Sequence, residues 1–264
     1  MSNQTEKVMP TIQDLVNHMK KHKDAVIIVG DKIEQQIGKV MEPVIEGEES
    51  EQEKVFTRKA LVKDTDKFWS YYFENIYYND DTAPQVYEII KSLKDDELAK
   101  TIISTDMRHQ SMVASDMNLR GISTVISCSK CKHELESNEV ESVKENKDSK
   151  CPKCKGKIRP NCLLYGENYH PDKIKGLTSA IFNEEEGKQV IPNTHTLMLI
   201  GVDMQEDLIS EMYDNYLLVR ERIEEPCYIV MITDREDDVR LFTPEFATTT
   251  DISGATERFA KLFK

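Results

Sequence analysis

LRGISTVISCSKC, residues 119–131, and CPKCKGKIRPNCLLYGE, residues 151–167, decide the reading of this chain. Cys128, Cys131, Cys151 and Cys154 form two C-x-x-C pairs separated by nineteen residues, the spacing of a four-thiolate tetrahedral zinc site. A tight knuckle at each pair lets both thiolates reach one ion. Lys130, Lys132, Lys150, Lys153 and Lys155 flank the pairs and offset part of the site's negative charge. Four thiolates leave no position for a substrate, so the expected role of the ion is structural. The excursion between the pairs, residues 132–150, is polar and reads as an exposed hairpin or loop. His133 lies next to the first pair, but the thiolates already complete a tetrahedron, so it is expected to be solvated.

The residues around the cysteines resemble the sirtuins, the Sir2-type NAD-dependent deacylases. That family carries a catalytic His-Gly with its first zinc cysteine eight residues beyond the histidine. Here Arg120-Gly121 stands at that distance before Cys128. The family continues after its last zinc cysteine with G-x-L-R-P-x-V-V-x-F-G-E. Gly156, Ile158, Arg159, Pro160, Leu163, Leu164, Tyr165, Gly166 and Glu167 reproduce that segment in register.

Composition narrows the class. The chain has 264 residues, enough to bury a sizeable core. Its net charge of −13 and pI near 5.0 disfavour nucleic acid and anionic membranes as partners. No signal peptide and no apolar run near eighteen residues is visible, so a soluble protein is expected. Of six cysteines four have zinc spacing, and Cys162 and Cys227 stand alone. That usage suits a reducing cytoplasm.

Three apolar runs, AVIIVG at 25–30, TLMLIG at 196–201 and YIVMIT at 228–233, read as buried parallel strands. The first ends in GDKIEQQIGKVMEP, where sirtuins have the phosphate loop G-A-G-I-S-x-x-S-G-I-P-x-F-R. Gly30, Ile33 and Gly38 match. The family's second glycine is Lys32, its alanine Asp31, its serine Glu34, and its Phe-Arg pair Glu42-Pro43. A glycine-rich loop holds phosphate because nothing projects from it, so Lys32 and the carboxylates oppose that role.

Around residue 105 sirtuins show Y-T-Q-N-I-D-x-L-H-Q. Asp106, His109 and Gln110 match, while Ser104 and Ile103 replace the family's Asn and Gln that hold the nicotinamide ribose and water. His109 falls on a structural histidine of the family. After the strand that ends at Gly201, the family's cofactor-binding Thr-Ser becomes Val202-Asp203, and Thr233 replaces its ribose-reading Asn. The resemblance makes Gly30, Lys32, Ser104, Asp106, Gly201, Asp203 and Thr233 the remnant cofactor positions. Arg120 replaces the general-base histidine. An imidazole accepts a proton near pH 7; a guanidinium has no acceptor.

The expected fold is α/β: a doubly wound, Rossmann-like parallel sheet with a smaller zinc-ribbon and helical domain. Residues 1–45, 81–127 and 161–264 form the sheet domain, 46–80 a helical lobe or lid, and 128–160 the zinc ribbon. Within 46–80, EGEESEQE at 46–53 reads as a solvated loop, and Phe68, Trp69, Tyr72, Phe73 and Ile76 as the core face of a helix. Three functions follow from these readings. The favoured one is a degenerate sirtuin that keeps structural zinc, binds NAD weakly or not at all, and regulates or binds a protein partner. The second is a divergent NAD-dependent deacylase or ADP-ribosyltransferase. The third is a zinc-ribbon interaction module with no cofactor.

Overall fold

The computed structural model describes residues 10–33, 54–77, 85–107, 115–147, 149–184 and 188–264. Glu34, Gly38, Glu42-Pro43, the acidic run 46–53, His109 and Gln110 lie outside the described residues.

The three apolar runs are β1 (Ala25–Val29), β8 (Thr196–Ile200) and β9 (Tyr228–Ile232). With β2 (Ala99–Ser104), β3 (Met117–Asn118) and β10 (Phe246–Thr248) they form a six-stranded parallel sheet in the order β10-β9-β8-β1-β2-β3. The chain winds outward from β1 through β2 to β3, then returns to β8 on the other side of β1. A doubly wound sheet of this kind opens a crevice at the carboxyl ends of the two strands where the winding reverses. Those strands are β1 and β8.

Both faces of the sheet are covered, which is why its strands are apolar without alternation. Ile27, Val29, Met198, Ile200, Val230 and Ile232 pack against α1 (Ile12–His22), α4 (Gln85–Asp95) and α9 (Ile252–Lys261). Their neighbours Val26, Ile28, Leu197, Leu199, Ile229 and Met231 pack against α6 (Pro171–Ile181) and α7 (Asp207–Val219).

Between α6 and β8 the short strands β6 (Phe182–Asn183) and β7 (Ile191–Pro192) pair antiparallel. A third core lies off the sheet. It joins the aromatic helix α3 (Thr65–Tyr71), which follows the short α2 (Arg58–Lys63), to the antiparallel pair β4 (Gly121–Cys128) and β5 (Ile158–Cys162). Phe68, Trp69, Tyr72 and Ile76 are buried in it, and Phe73 packs at its edge. The last turn, Tyr72–Ile76, widens into a π-helix that periodicity alone did not reveal.

The excursion between the cysteine pairs differs from the sequence reading. Residues Ser137–Asn146 form a helix, α5, whose Val140 and Val143 are buried against the third core. Two valines three residues apart give one narrow apolar stripe, and reciprocal capping between Glu136 and Glu139 starts the helix. Nor is His133 solvated. Its side chain is 8% exposed and its Nε2 lies 2.8 Å from Glu139.

Candidate functional site

The residues that the sequence points to lie chiefly in the cysteine cluster at the tip of β4–β5 and around the crevice at the ends of β1 and β8.

The cysteine knuckles are built alike. In each, the first cysteine's carbonyl accepts from the amide four residues on: Lys132 to Cys128 at 3.0 Å, and Lys155 to Cys151 at 2.9 Å. In each, the first cysteine's own amide donates to the carbonyl five residues on, His133 and Gly156. Lys132 and Lys155 adopt left-handed backbone at φ 61° and 59°, which turns the chain back over the pair. The outcome is four sulfurs with ligand atoms within 4.8 Å of one another. Two of the separations are 3.5 Å, Cys128 to Cys154, and 3.7 Å, Cys131 to Cys151. A tetrahedral ion with zinc–sulfur bonds of about 2.3 Å needs edges of roughly 3.8 Å. Amides of Lys130, Cys131 and Gly156 point at Cys128 and Cys154. The Cys131 amide leads in drawing the Cys128 thiol down to about 6. A Cβ on Gly156 would come within 3.1 Å of Cys128 Sγ and 3.2 Å of Cys154 Sγ, so this position leaves the sulfurs their room. Donor type, spacing and amide support all fit a closed zinc site.

At the crevice, Gly30 and Gly201 interlock. Gly30 donates its amide to Ile200 at 2.9 Å, and a Cβ on Gly30 would lie 2.2 Å from the Gly201 carbonyl oxygen. Gly201 sits at φ 61°. Close approach of two strand ends accounts for both glycines. The Lys32 amide is also committed, donating to the Gly201 carbonyl at 3.1 Å.

The Lys32 side chain turns inward and is 7% exposed. Its Nζ lies 3.1 Å from Asp238 Oδ2, on the first turn of α8 (Glu236–Phe242), and 4.0 Å from Asp203 Oδ1. Thr233 donates to the same Asp238 oxygen at 3.2 Å, and Arg235 lies 3.8 Å from the other. Lys32 and Thr233 thus meet at a buried carboxylate that the sequence reading did not single out, with Asp203 beside Lys32. Asp238 is visible only as one of several acids at a helix start, 206 residues from its partner.

Arg120 also has a carboxylate partner. It donates to Glu206 at 2.9 Å and, through Nε, to the Tyr169 hydroxyl at 3.3 Å. Burial pushes the Glu206 carboxyl up, with Asp31 adding to that; Arg120 opposes both without cancelling them. Ser104 and Asp106 lie together at the end of β2. The Ser104 hydroxyl caps the Asp106 amide, Asn118 donates to the Asp106 carbonyl, and Tyr87 donates to the carboxylate at 3.3 Å. Arg159 and Glu167, the best-matched pair of the second segment, form a two-pronged ion pair at 2.8 and 2.6 Å that also holds the Leu164 amide. They staple the chain leaving β5.

A family model described as "Sir2 family" matches residues 40–191, more than half of the chain. The chain belongs to the Sir2 family. No curated protein matches the sequence. Among solved structures it is similar to one described as "The Structural basis of Sirtuin Substrate Affinity", with a TM-score of 0.78 and 14% identity over 97% of this chain and 100% of that one. It is also similar to "Sir2-p53 peptide-NAD+", TM-score 0.73 and 15% identity over 96% and 98% of the two chains. A third is "Structure of Sir2Tm bound to a propionylated peptide", TM-score 0.72, 14% identity, 96% and 98% covered. At such identities the likeness establishes the sirtuin fold. No helix among the described residues is long and apolar enough to cross a membrane.

Proposed function

We propose that this sirtuin-family chain retains a zinc-stapled fold, has lost NAD-dependent deacylase chemistry, and acts by binding or regulating a protein partner. The observation that carries this reading is the Lys32–Asp238 pair. Where the family leaves a bare backbone for a diphosphate, this chain puts a lysine stem whose charge is already matched by a buried aspartate. The Lys32 amide, which would otherwise face an anion, is spent on Gly201. The residues present therefore do not fit NAD. Arg120 adds a second reason, since a guanidinium paired with Glu206 takes no proton from a ribose hydroxyl.

The zinc belongs to Cys128, Cys131, Cys151 and Cys154, and its role is to hold the β4–β5 tip against α3 and α5. That third core is the reason to treat 128–160 and the aromatic helices as a lobe distinct from the sheet. A protein partner is supported by the peptides bound in similar sirtuin structures. Six free cysteines agree with a reducing compartment such as the cytoplasm.

One observation favours the divergent-enzyme reading. Asp106, which the family shares, is buried just past the end of β2, 4% exposed. NAD consumption and nicotinamide release, measured with and without acetyl-lysine peptides, separate the two. The proposal expects neither. Turnover that survives Arg120→Ala and disappears in Asp106→Asn would establish a divergent enzyme instead.

A further inference from the structure

We propose a second metal site at the end of the sheet opposite the crevice, formed by His22, His195 and Glu225 and suited to a zinc-class divalent ion. His22 ends α1, His195 immediately precedes β8, and Glu225 lies three residues before β9. In a parallel sheet these are the amino ends of neighbouring strands. The crevice is at the carboxyl ends, about five residues and roughly 17 Å away.

The donor atoms are close together. One ligand atom from each residue lies within 4.8 Å of the others. The two imidazoles are stacked, with centroids 3.9 Å apart and planes 26° from parallel, so their in-plane lone pairs run side by side and one ring must tilt for both to reach a single ion. His22 Nε2 is buried and makes no hydrogen bond among the described residues, although Glu225 Oε2 is only 2.8 Å away. The contact is an ion-pair distance without hydrogen-bond alignment, so the carboxylate oxygen and the ring nitrogen already stand side by side.

The neighbours prepare His195. Its Nδ1 is 2.7 Å from Asp24 Oδ2, so Asp24 fixes the ring and leaves Nε2 as the nitrogen free to bind. A carboxylate behind a histidine is the usual support for a metal-bound imidazole. Asp24 also accepts the His195 amide, which locks the backbone at 3.1 Å. His18, one helical turn before His22, packs 4.3 Å from it and walls the site with Tyr228.

Two imidazoles and a carboxylate suit zinc, nickel or copper rather than magnesium or calcium. Three protein ligands leave a position for water. The present separation of 2.8 Å between His22 and Glu225 opens to about 3.3 Å around an ion with bonds near 2.0–2.1 Å, a shift within reach of small ring and carboxylate rotations. Any proton on His22 Nε2 leaves to solvent. Lys21, now 2.7 Å from the same Glu225 oxygen, gives it up; its side chain is 64% exposed and free to do so.

The test uses the full chain with its cysteine site already loaded with zinc. Calorimetric titration with Zn²⁺, and separately with Ni²⁺, is followed by metal analysis after gel filtration. The expected result is one further equivalent in the wild type. It is lost in His195→Gln and weakened at least tenfold in Glu225→Gln, whose exposed side chain leaves folding untouched. Asp24→Asn, a change in a positioning residue, should weaken it by about 10–100-fold. Uptake of no further equivalent by the wild type overturns the proposal, as does a further equivalent that persists in both His195→Gln and Glu225→Gln.

Discussion

Lys32 Nζ lies 3.1 Å from Asp238 Oδ2, and the two side chains are 7% and 3% exposed. Such a pair contributes little net stability when intact, because desolvation offsets attraction, but removing one partner strands the other charge. Lys32→Met alone is expected to cost about 3–5 kcal/mol in urea unfolding. The double change Lys32→Met with Asp238→Leu should recover most of that loss. A single substitution that proves nearly neutral would mean the ammonium is not committed to Asp238, and the main support for lost cofactor binding would fail with it.

Gly30 provides an independent check on what the loop glycine is for. A Cβ there would meet the Gly201 carbonyl oxygen at 2.2 Å and Val202 Cα at 2.4 Å. Backbone atoms cannot swing aside as a side chain can. Gly30→Ala should therefore lower stability by at least the ~1–3 kcal/mol usual for overpacking, with or without any nucleotide present. If the variant unfolds like the wild type, strand-end packing is not the reason for the glycine.

The strands that define the sheet were legible because burial on both faces leaves no polar alternation: Val26 to Val29 and Leu197 to Ile200 are sealed throughout. The cysteine pairs were legible because metal ligation is written in local spacing. What escaped was either short-range and weak or long-range. Helix α5 rests on Val140 and Val143 and a capping exchange, too little signal against a polar run. The partners Asp238, Glu206 and Tyr169 are ordinary residues in sequence, and only the sheet's winding brings them to Lys32 and Arg120. His195 meets His22 for the same reason, across more than 170 positions.

Zinc at the cysteine cluster predicts a graded response to chelation. Cys151 is fully buried in the third core beside Ile158 and Ile126. Cys151→Ser, or removal of the ion, should loosen α5, β4 and β5 while the six-stranded sheet persists. Hydrogen exchange reads this directly: fast exchange at Ile126, Val143 and Ile158, slow exchange at Ile27 and Leu199. Gly156→Ala should weaken zinc retention without removing a ligand, since its Cβ crowds two sulfurs. Purified protein with intact thiols and well under one equivalent of zinc would contradict the assignment.

Acid stability should depend on Glu167. Burial pushes its carboxyl up, but the Arg159 guanidinium and the Leu164 amide outweigh this and leave it below its usual 4.5. A depressed carboxylate contributes stability that is present above its unfolded value and lost as pH falls through its folded value. The contribution should therefore fade below about pH 4.5. Glu167→Gln should lower stability at neutral pH and flatten the acid limb, with the two proteins converging at low pH. Parallel curves across that range would show the pair to be without net effect.

Restoring the family's histidine should not restore its chemistry. Arg120 now faces Glu206, whose side chain is 11% exposed and whose Oε1 finds no hydrogen-bond partner among the described residues. A histidine introduced at 120 inherits that carboxylate. An adjacent anion favours the imidazolium, which carries protons on both nitrogens and has no lone pair for a substrate hydroxyl. Even a neutral base is worth only ~10²–10⁴-fold, and Lys32 and Ser104 would still occupy their positions. Arg120→His is thus expected to release no nicotinamide from NAD above the no-enzyme background. The same holds for Arg120→His combined with Glu206→Gln, which frees the imidazole but leaves the Lys32–Asp238 pair in place. Only with Lys32→Gly and Asp238→Asn added should ADP-ribose produce a thermal shift. Turnover in the single Arg120→His variant would show that the crevice already admits NAD, and would reduce this chain's divergence to one residue.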